Sequence, residues 1–564
     1  MKKAKKFVAT AATVTLVGGL LAGCGDSKPA AEGTAAPATT PAATTGGETK
    51  SNAKQEITIN FSAEPPALDT TMATASAAHN MLNAINEGLY RLDKDGKLTL
   101  GLAKDKPKVS EDKLTYTVEL RDATWADGVP VKAQDFEYSF KRTADPANKS
   151  QYGFFMEFLK GGAAVQRAKD PAEVTAKLAD FGVKAINEKT LEIKLERPLA
   201  FFDELLAFGL FFPQREDIVK KNTDKNGADA DKVIGAGPFK LAKWDHDQSL
   251  EFVKNDKYWD AKNVNLEKFT VNIVKDQATG VNLYETKAAD VTGVRGDLMK
   301  PYEGKKDLKL KPELTNAYLQ FQSKKNPALA NAKIRTALGL AVDLQAYIDT
   351  VSQDGSVPAT GLVPVITKDG NGSEFRKVAG DVQGKFDPAK AKALLAEGLK
   401  EAGLDKLPAL KLLGDDTENA KKTLEFFVSQ WKANLGVDIA PEPVVHKLRL
   451  ERSAKGDFDI VFSLWGGDYN DPMTFLDLFV TDGPFNEGKW SNKTFDEKIK
   501  AAGTEKDGAA RSKLLVEAEK ILVQESGVYP IYFRTRPFLV RENIENLILP
   551  LYGNEWELKW VKVK

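Results

Sequence analysis

Apolar and polar residues alternate along Ile57-Thr-Ile-Asn-Phe61 and Leu114-Thr-Tyr-Thr-Val-Glu-Leu120, which predicts half-buried strands. Continuous apolar runs at Leu410–Leu413 and Phe458–Leu464 predict strands buried on both faces. Val528–Phe533 reads as a further strand. A helical period replaces this alternation over 81–90, 131–143 (Phe136 and Phe140 on one face) and 513–525. It also predicts a single helix over 331–351, with Ile334, Ala337, Leu338, Ala341, Val342 and Ile348 on one side. Stop signals bound two more helices. Asp387-Pro388 opens one ending near Gly403, and a helix from Thr417 to Leu435 stops at Gly436. Strands alternating with helices are an α/β pattern, and 564 residues suffice for two or three cores.

The N-terminal stretch breaks this pattern. Lys2, Lys3, Lys5 and Lys6 precede an apolar run from Phe7 to Leu21, then Ala22-Gly23, which predicts a secretory signal peptide over 1–23. Residues 24–55 are rich in Ala, Thr, Pro and Gly, have few bulky apolar residues, and are expected to form a disordered tether.

Composition narrows the function. Lys+Arg and Asp+Glu are both 80; removing the four lysines of 1–23, which carry no acid, leaves a net charge of 0 − 4 = −4. That argues against nucleic acid as the main partner. Cys24 is the sole cysteine, so no intrachain disulfide and no cysteine metal or redox centre is expected. His79, His246 and His446 form no metal-binding pattern. No cofactor is expected. Gly235-Ala-Gly237 is followed by Pro238 and is no dinucleotide fingerprint. Gly483 to Trp490 nearly spells a phosphate-binding loop, but Trp490 stands where Ser or Thr would hold Mg²⁺. With no nucleophile elbow and no named carboxylate pair, an enzyme is not expected.

The densest chemistry lies just beyond the 458–464 run. Trp465 and the pair Gly466-Gly467 lead into Asp468-Tyr469-Asn470, and Asp471-Pro472 reads as the cap and first residue of a helix through Val480. Since Asp471 takes the capping place, Asp468 is a second acid without a local task, beyond the C-terminal end of a strand, where open α/β sheets place ligands.

Trp465-Gly-Gly-Asp-Tyr-Asn-Asp-Pro472 resembles the signature loop of the oligopeptide- and dipeptide-binding proteins of ABC importers (family 5 extracellular solute-binding proteins). A second stretch from Trp125 to Pro146 also resembles that family, and the likeness extends over almost all of 56–564. It implies an α/β periplasmic-binding-protein type II fold of the large kind, with two lobes, a hinge and an extra inserted domain. The expected lobe I is 56–86, 230–314 and 529–564; the insert is 87–229; lobe II is 315–528. The resemblance implies that Asp468 meets the α-ammonium of a bound oligopeptide. Trp465, Gly466, Gly467, Tyr469 and Asn470 surround it, and Thr74, Ala75 and Ser76 come from a second loop, Thr74 standing where some relatives carry another acid. Where some relatives carry a carboxylate-binding Arg, this chain has Phe462; Arg449 and Arg452 are nearby, with helical surface charge as their ordinary reading. This departure leaves room for other ligands of the family: a nickel complex, haem or an oligosaccharide. Leu21-Ala-Gly-Cys24 resembles a bacterial lipobox, implying cleavage before Cys24 and a lipid on its sulfur. The expected protein is a monomeric, lipid-anchored receptor on the extracytoplasmic face, at the cell surface or in the periplasm, serving ABC permease subunits. Peptide sensing or chaperoning without transport is the other reading.

Overall fold

The longest strands, Leu308–Phe321 and Val528–Val540, pair antiparallel at the centre of the molecule. The computed structural model describes residues 53–564 apart from Ala200, Asn371 and Pro484. The expected signal peptide, Cys24 and nearly all of the tether lie outside those residues. Among the described residues, eleven strands form one mixed sheet. In chain order they are β1 (Glu56–Phe61), β2 (Phe239–Asp245), β3 (Ser249–Lys254), β4 (Lys268–Ile273), β5 (Val291–Gly293), β6 (Leu308–Phe321), β7 (Val357–Pro358), β8 (Leu410–Asp415), β9 (Ile439–Val444), β10 (Ile460–Gly466) and β11 (Val528–Val540). Their spatial order is β9-β8-β10-β6-β11-β5-β1-β4-β3-β2, with β7 beside β11. β1 is parallel to β4 and β5, and β8 is parallel to β9 and β10, while the central pairs β10/β6, β6/β11 and β11/β5 are antiparallel. The expected hinge positions, near 314 and 528, fall inside β6 and at the first residue of β11.

Local sequence explains most of the helices. α1 (Ser76–Ile85) is displaced from the expected 81–90: it starts at Ser76 and ends at Ile85, and Tyr90 already belongs to a short strand. α2 (Ala133–Ala144) is fastened by Asp135, which accepts from the Lys132 backbone N–H and from Trp125 Nε1. The expected helix over 331–351 is broken. α3 (Ala332–Leu340) ends, Asp343 caps a separate turn at Leu344–Tyr347, and a π turn follows. The apolar spacing continues across this break, so periodicity alone could not show it. α4 (Pro388–Glu401) and α5 (Glu418–Leu435) run close to the predicted spans, with Asp387 and Thr417 as caps, whereas α6 (Gly508–Gln524) starts five residues before the expected Lys513 because Asp507 caps it. Gly403 and Gly436 close α4 and α5 at positive φ.

Three apolar cores hold these layers. One packs α1 against β1–β4, and a second packs α3, α4 and α5 against β6 and β8. The third joins residues 89–211, which carry their own four-stranded sheet, to the segment after β10 and to α6.

Candidate functional site

β10 carries the signature loop to the sheet centre. Its register pairs Trp465 with Asn316 and Gly466 with Thr315, so Trp465 and Gly466 belong to the strand and not to the loop after it. The strand also starts at Ile460 and not at Phe458. It is not buried on both faces throughout, because Leu464 is 41% exposed where the strand reaches the cleft. The Gly467 N–H donates to Leu314 O at 2.6 Å, and there the chain leaves the sheet. Both loop glycines have ordinary backbone angles; what they provide is space. A Cβ on Gly467 would stand 2.6 Å from Leu314 Cδ2, whereas on Gly466 it would meet only Thr315 Oγ1 at 3.4 Å.

The rest of the loop is tied down residue by residue. Tyr469 is buried and stacks on Phe201, with ring centroids 3.5 Å apart and planes 6° from parallel. Asn470 donates its backbone N–H to Glu204 Oε2 at 2.8 Å, and Tyr552 donates its hydroxyl to the same oxygen at 2.9 Å. Asn470 Oδ1 accepts from the Lys368 N–H at 2.9 Å. Asp471 accepts from the Met473 N–H and also receives both η nitrogens of Arg511, at 2.7 and 2.9 Å. Its cap opens only a short turn, Met473–Leu476, followed by a 3-10 turn, so the helix expected through Val480 is not continuous.

Among the described residues of the loop after β10, Asp468 is left without a partner for its carboxylate. Its N–H donates to Thr474 Oγ1 at 3.1 Å, but among the described residues its carboxylate makes no hydrogen bond or ion pair. Burial pushes this carboxyl up to about 7, and the charge of Asp477 adds to the shift. Asp477 is likewise pushed up to about 7 by burial. Asp468 lines a cavity of about 260 Å³ together with Thr74, Ser76 and the mutually packed rings of His79, Tyr152 and Phe208. His79 is 4% exposed, burial lowers its ring to about 4, and neither ring nitrogen has a partner. The imidazole is therefore neutral at physiological pH.

Two further cavities, of about 390 and 470 Å³, adjoin the first, and Arg534 lines all three. The strands β6 and β11 supply a charged floor. Glu313 lies between Lys311, Arg534 and Arg536, and Arg536 also meets Glu555. Burial raises the Glu313 carboxyl, but the charges of Arg536, Arg534 and Lys311 outweigh it and hold the group below its ordinary range.

Residues 97–487 match the family described as bacterial extracellular solute-binding proteins, family 5 middle. The chain belongs to this family. Among curated relatives, it is 35% identical over 522 residues to the oligopeptide-binding protein OppA of Bacillus subtilis, covering 90% of this chain and 92% of that protein. It is 32% identical over 512 residues to the dipeptide-binding protein DppE of the same organism, covering 91% and 92%. Among solved structures, OppA of Listeria monocytogenes bound to peptide is 36% identical with a TM-score of 0.77, covering 91% of this chain and 99% of that one. The pheromone receptor PrgZ is 29% identical with a TM-score of 0.78, covering 91% and 100%. Family membership places the chain among binding proteins rather than enzymes.

In this family-5 protein the residues singled out from sequence divide into two groups. Thr74, Ser76, Gly466, Gly467 and Asp468 share the first cavity. Ala75 instead sits at the cap of α1, Tyr469 and Asn470 hold the loop from behind, and Trp465 packs edge-on against Phe485 at 4.8 Å with its Nε1 unpaired. Phe462 packs on Phe427 and lines the second cavity. Arg452 pairs with Glu442 and Asp457, as a surface residue does. Arg449 departs from the surface reading: it is 9% exposed, donates Nε to Asp415 Oδ1 at 2.8 Å and lines the second cavity. Sequence reasoning missed Arg534 and Arg536, although their two-residue spacing puts both on one face of a strand. It also missed Tyr152 and Phe208, which no local signal distinguishes from core. Among the described residues no cluster of acids and histidines suits a metal ion, and no helix is long and apolar enough to cross a membrane.

Proposed function

We propose that this chain captures oligopeptides in the cleft at the centre of its sheet and delivers them to the permease of an ABC importer. The observation that carries the reading is Asp468, whose carboxylate has no partner among the described residues and lines a cavity, while the rest of its loop is tied down. A buried acid of this kind is stabilised by a cation, and the α-ammonium present on every peptide supplies one. Asp468 binds that ammonium, with Thr74, Ser76, Gly466 and Gly467 around it. Peptide backbone groups are the same at every residue, so hydrogen bonding to them from groups lining the cavities tolerates many sequences. The names of the relatives, oligopeptide-binding and dipeptide-binding proteins, support this ligand class.

The two-lobe division follows the expected boundaries: 56–86, 230–314 and 529–564 against 315–528, with 87–229 as insert. The lobes rotate about β6 and β11 and close on the ligand. Cleavage before Cys24 and lipidation of its sulfur tether a monomer to the extracytoplasmic face, through residues 25–55. One observation favours a second reading, peptide sensing without transport: the likeness to a pheromone receptor.

The test is calorimetry of the purified protein, first unfolded and refolded to strip bound ligand, against a pool of di- to hexapeptides. Micromolar or tighter binding, weakened at least tenfold by Asp468→Ala, is expected. Absence of binding by folded protein would sink the peptide reading. Uptake of labelled peptide by cells with and without the gene separates transport from sensing, and metabolic labelling of Cys24→Ala tests the lipid.

A further inference from the structure

Around the three adjoining cavities the charged side chains have hydrogen-bond or ion-pair partners, with two exceptions among the described residues. Glu313 and Glu555 take up Lys311, Arg534 and Arg536, and Asp415 takes up Arg449 and His446. Asp354 accepts from Ser352 Oγ and the Ser356 N–H, and Asp276 accepts from Thr279. Lys275 faces Asp247. Asp468 and Arg295 are the exceptions. Arg295 follows β5, is half-buried, and lines the second and third cavities. Among the described residues its guanidinium makes no hydrogen bond and no ion pair. Burial and the neighbouring Arg534 and Arg536 work against its charge, with Asp354 opposing them through space.

One cleft therefore holds one acid and one base whose side chains, among the described residues, make no hydrogen bond or ion pair. A ligand that compensates both carries an ammonium and a carboxylate. The sheet sets the distance between them. Asp468 lies just beyond β10 and Arg295 just beyond β5, and the order β10-β6-β11-β5 puts three strand spacings between them, about 14 Å at about 4.8 Å each. An extended peptide advances about 3.3 Å per residue, so about four residues cover that distance.

We infer that Arg295 is the carboxylate-binding residue of the cleft, receiving the C-terminus of a peptide of about four residues whose ammonium meets Asp468. This rests on the peptide reading above and adds to it the far end of the ligand and its length. It also accounts for Phe462: the carboxylate is met from β5 and not from β10. A planar guanidinium suits a carboxylate because two N–H groups can donate in parallel.

The experiment offers the refolded full chain an equimolar mixture of di- to hexapeptides, each as free acid and as C-terminal amide, and reads the retained species by mass spectrometry. The expected result is at least tenfold retention of acids over amides, with tetrapeptides at the maximum. In Arg295→Gln the ratio falls to near one. Equal retention of acids and amides by the unsubstituted protein overturns the inference alone, as does an acid preference that survives Arg295→Gln. A flat length profile overturns the spacing. Retention of no peptide overturns both this inference and the peptide reading. If Arg295→Gln does not fold by circular dichroism, the acid-to-amide ratio of the unsubstituted protein still decides.

Discussion

Arg511 on α6 grips both carboxylate oxygens of Asp471, and both side chains are buried, at 7% and 2% exposure. The pair fixes the loop three residues after Asp468 to a helix far along the chain. Replacing Arg511 by Met leaves a buried carboxylate uncompensated. A loss of about 3–5 kcal/mol in folding stability is expected, measured by urea unfolding. Asp471→Asn keeps the bond from the Met473 N–H but leaves the Arg511 guanidinium buried without its counter-charge, so a loss of similar size is expected.

Ligand binding should weaken in acid. Asp468 has its carboxyl raised from 3.8 to about 7, so below that pH the unliganded protein holds a proton there. An ammonium must displace that proton, and affinity should fall by up to about tenfold per pH unit below 7. For folding of the unliganded protein, the folded state binds more protons than the unfolded one between about 4 and 7. Stability therefore declines as pH rises through that window and levels off above 7. Asp477 titrates in the same range, so calorimetry from pH 5 to 8 should be repeated on Asp468→Asn. A pH slope unchanged in that variant would assign the effect to Asp477.

The two loop glycines should respond differently to substitution. Gly466→Ala places a methyl 3.4 Å from Thr315 Oγ1, in ordinary contact, and should be tolerated. Gly467→Ala drives one to 2.6 Å from Leu314 Cδ2 and 3.2 Å from Phe475 Cζ. It should cost about 1–3 kcal/mol by overpacking, read as a lowered melting temperature.

Glu204 holds the Asn470 N–H and the Tyr552 hydroxyl with one oxygen, two residues from Asp468. Glu204→Ala removes two hydrogen bonds of about 1 kcal/mol each, so peptide should dissociate on the order of tenfold faster. Stopped-flow release of a fluorescent peptide checks this, and unchanged release would show that the loop holds its shape without Glu204.

Much of this molecule was legible where the signals are local. α4 and α5 lie where Asp387-Pro388, Thr417 and Gly436 placed them, because caps and left-handed stops act within a few residues. The break between α3 and the turn at Leu344 was hidden, because one apolar face continues through Asp343. The cavity grouping of Asp468 with Thr74 and Ser76 followed from a motif, whereas the positions of Tyr469 and Asn470 depended on Phe201 and Glu204, which are remote in sequence. Arg449 looked like helix surface until Asp415 and Ser463 folded over it.

The pairing of β6 with β11 also bears on when this chain can fold. The two strands at the middle of the sheet are separated by the whole of α3 to α6, so their contact closes a very long loop and must form late. Until Val528–Val540 is available, β6 lacks one neighbour and Leu308–Phe321 has no complete place to dock. A chain synthesised from its N-terminus therefore cannot complete its central sheet until Val528–Val540 has been made. If the chain is exported as proposed above, that delay keeps the polypeptide threadable for as long as β11 remains unmade.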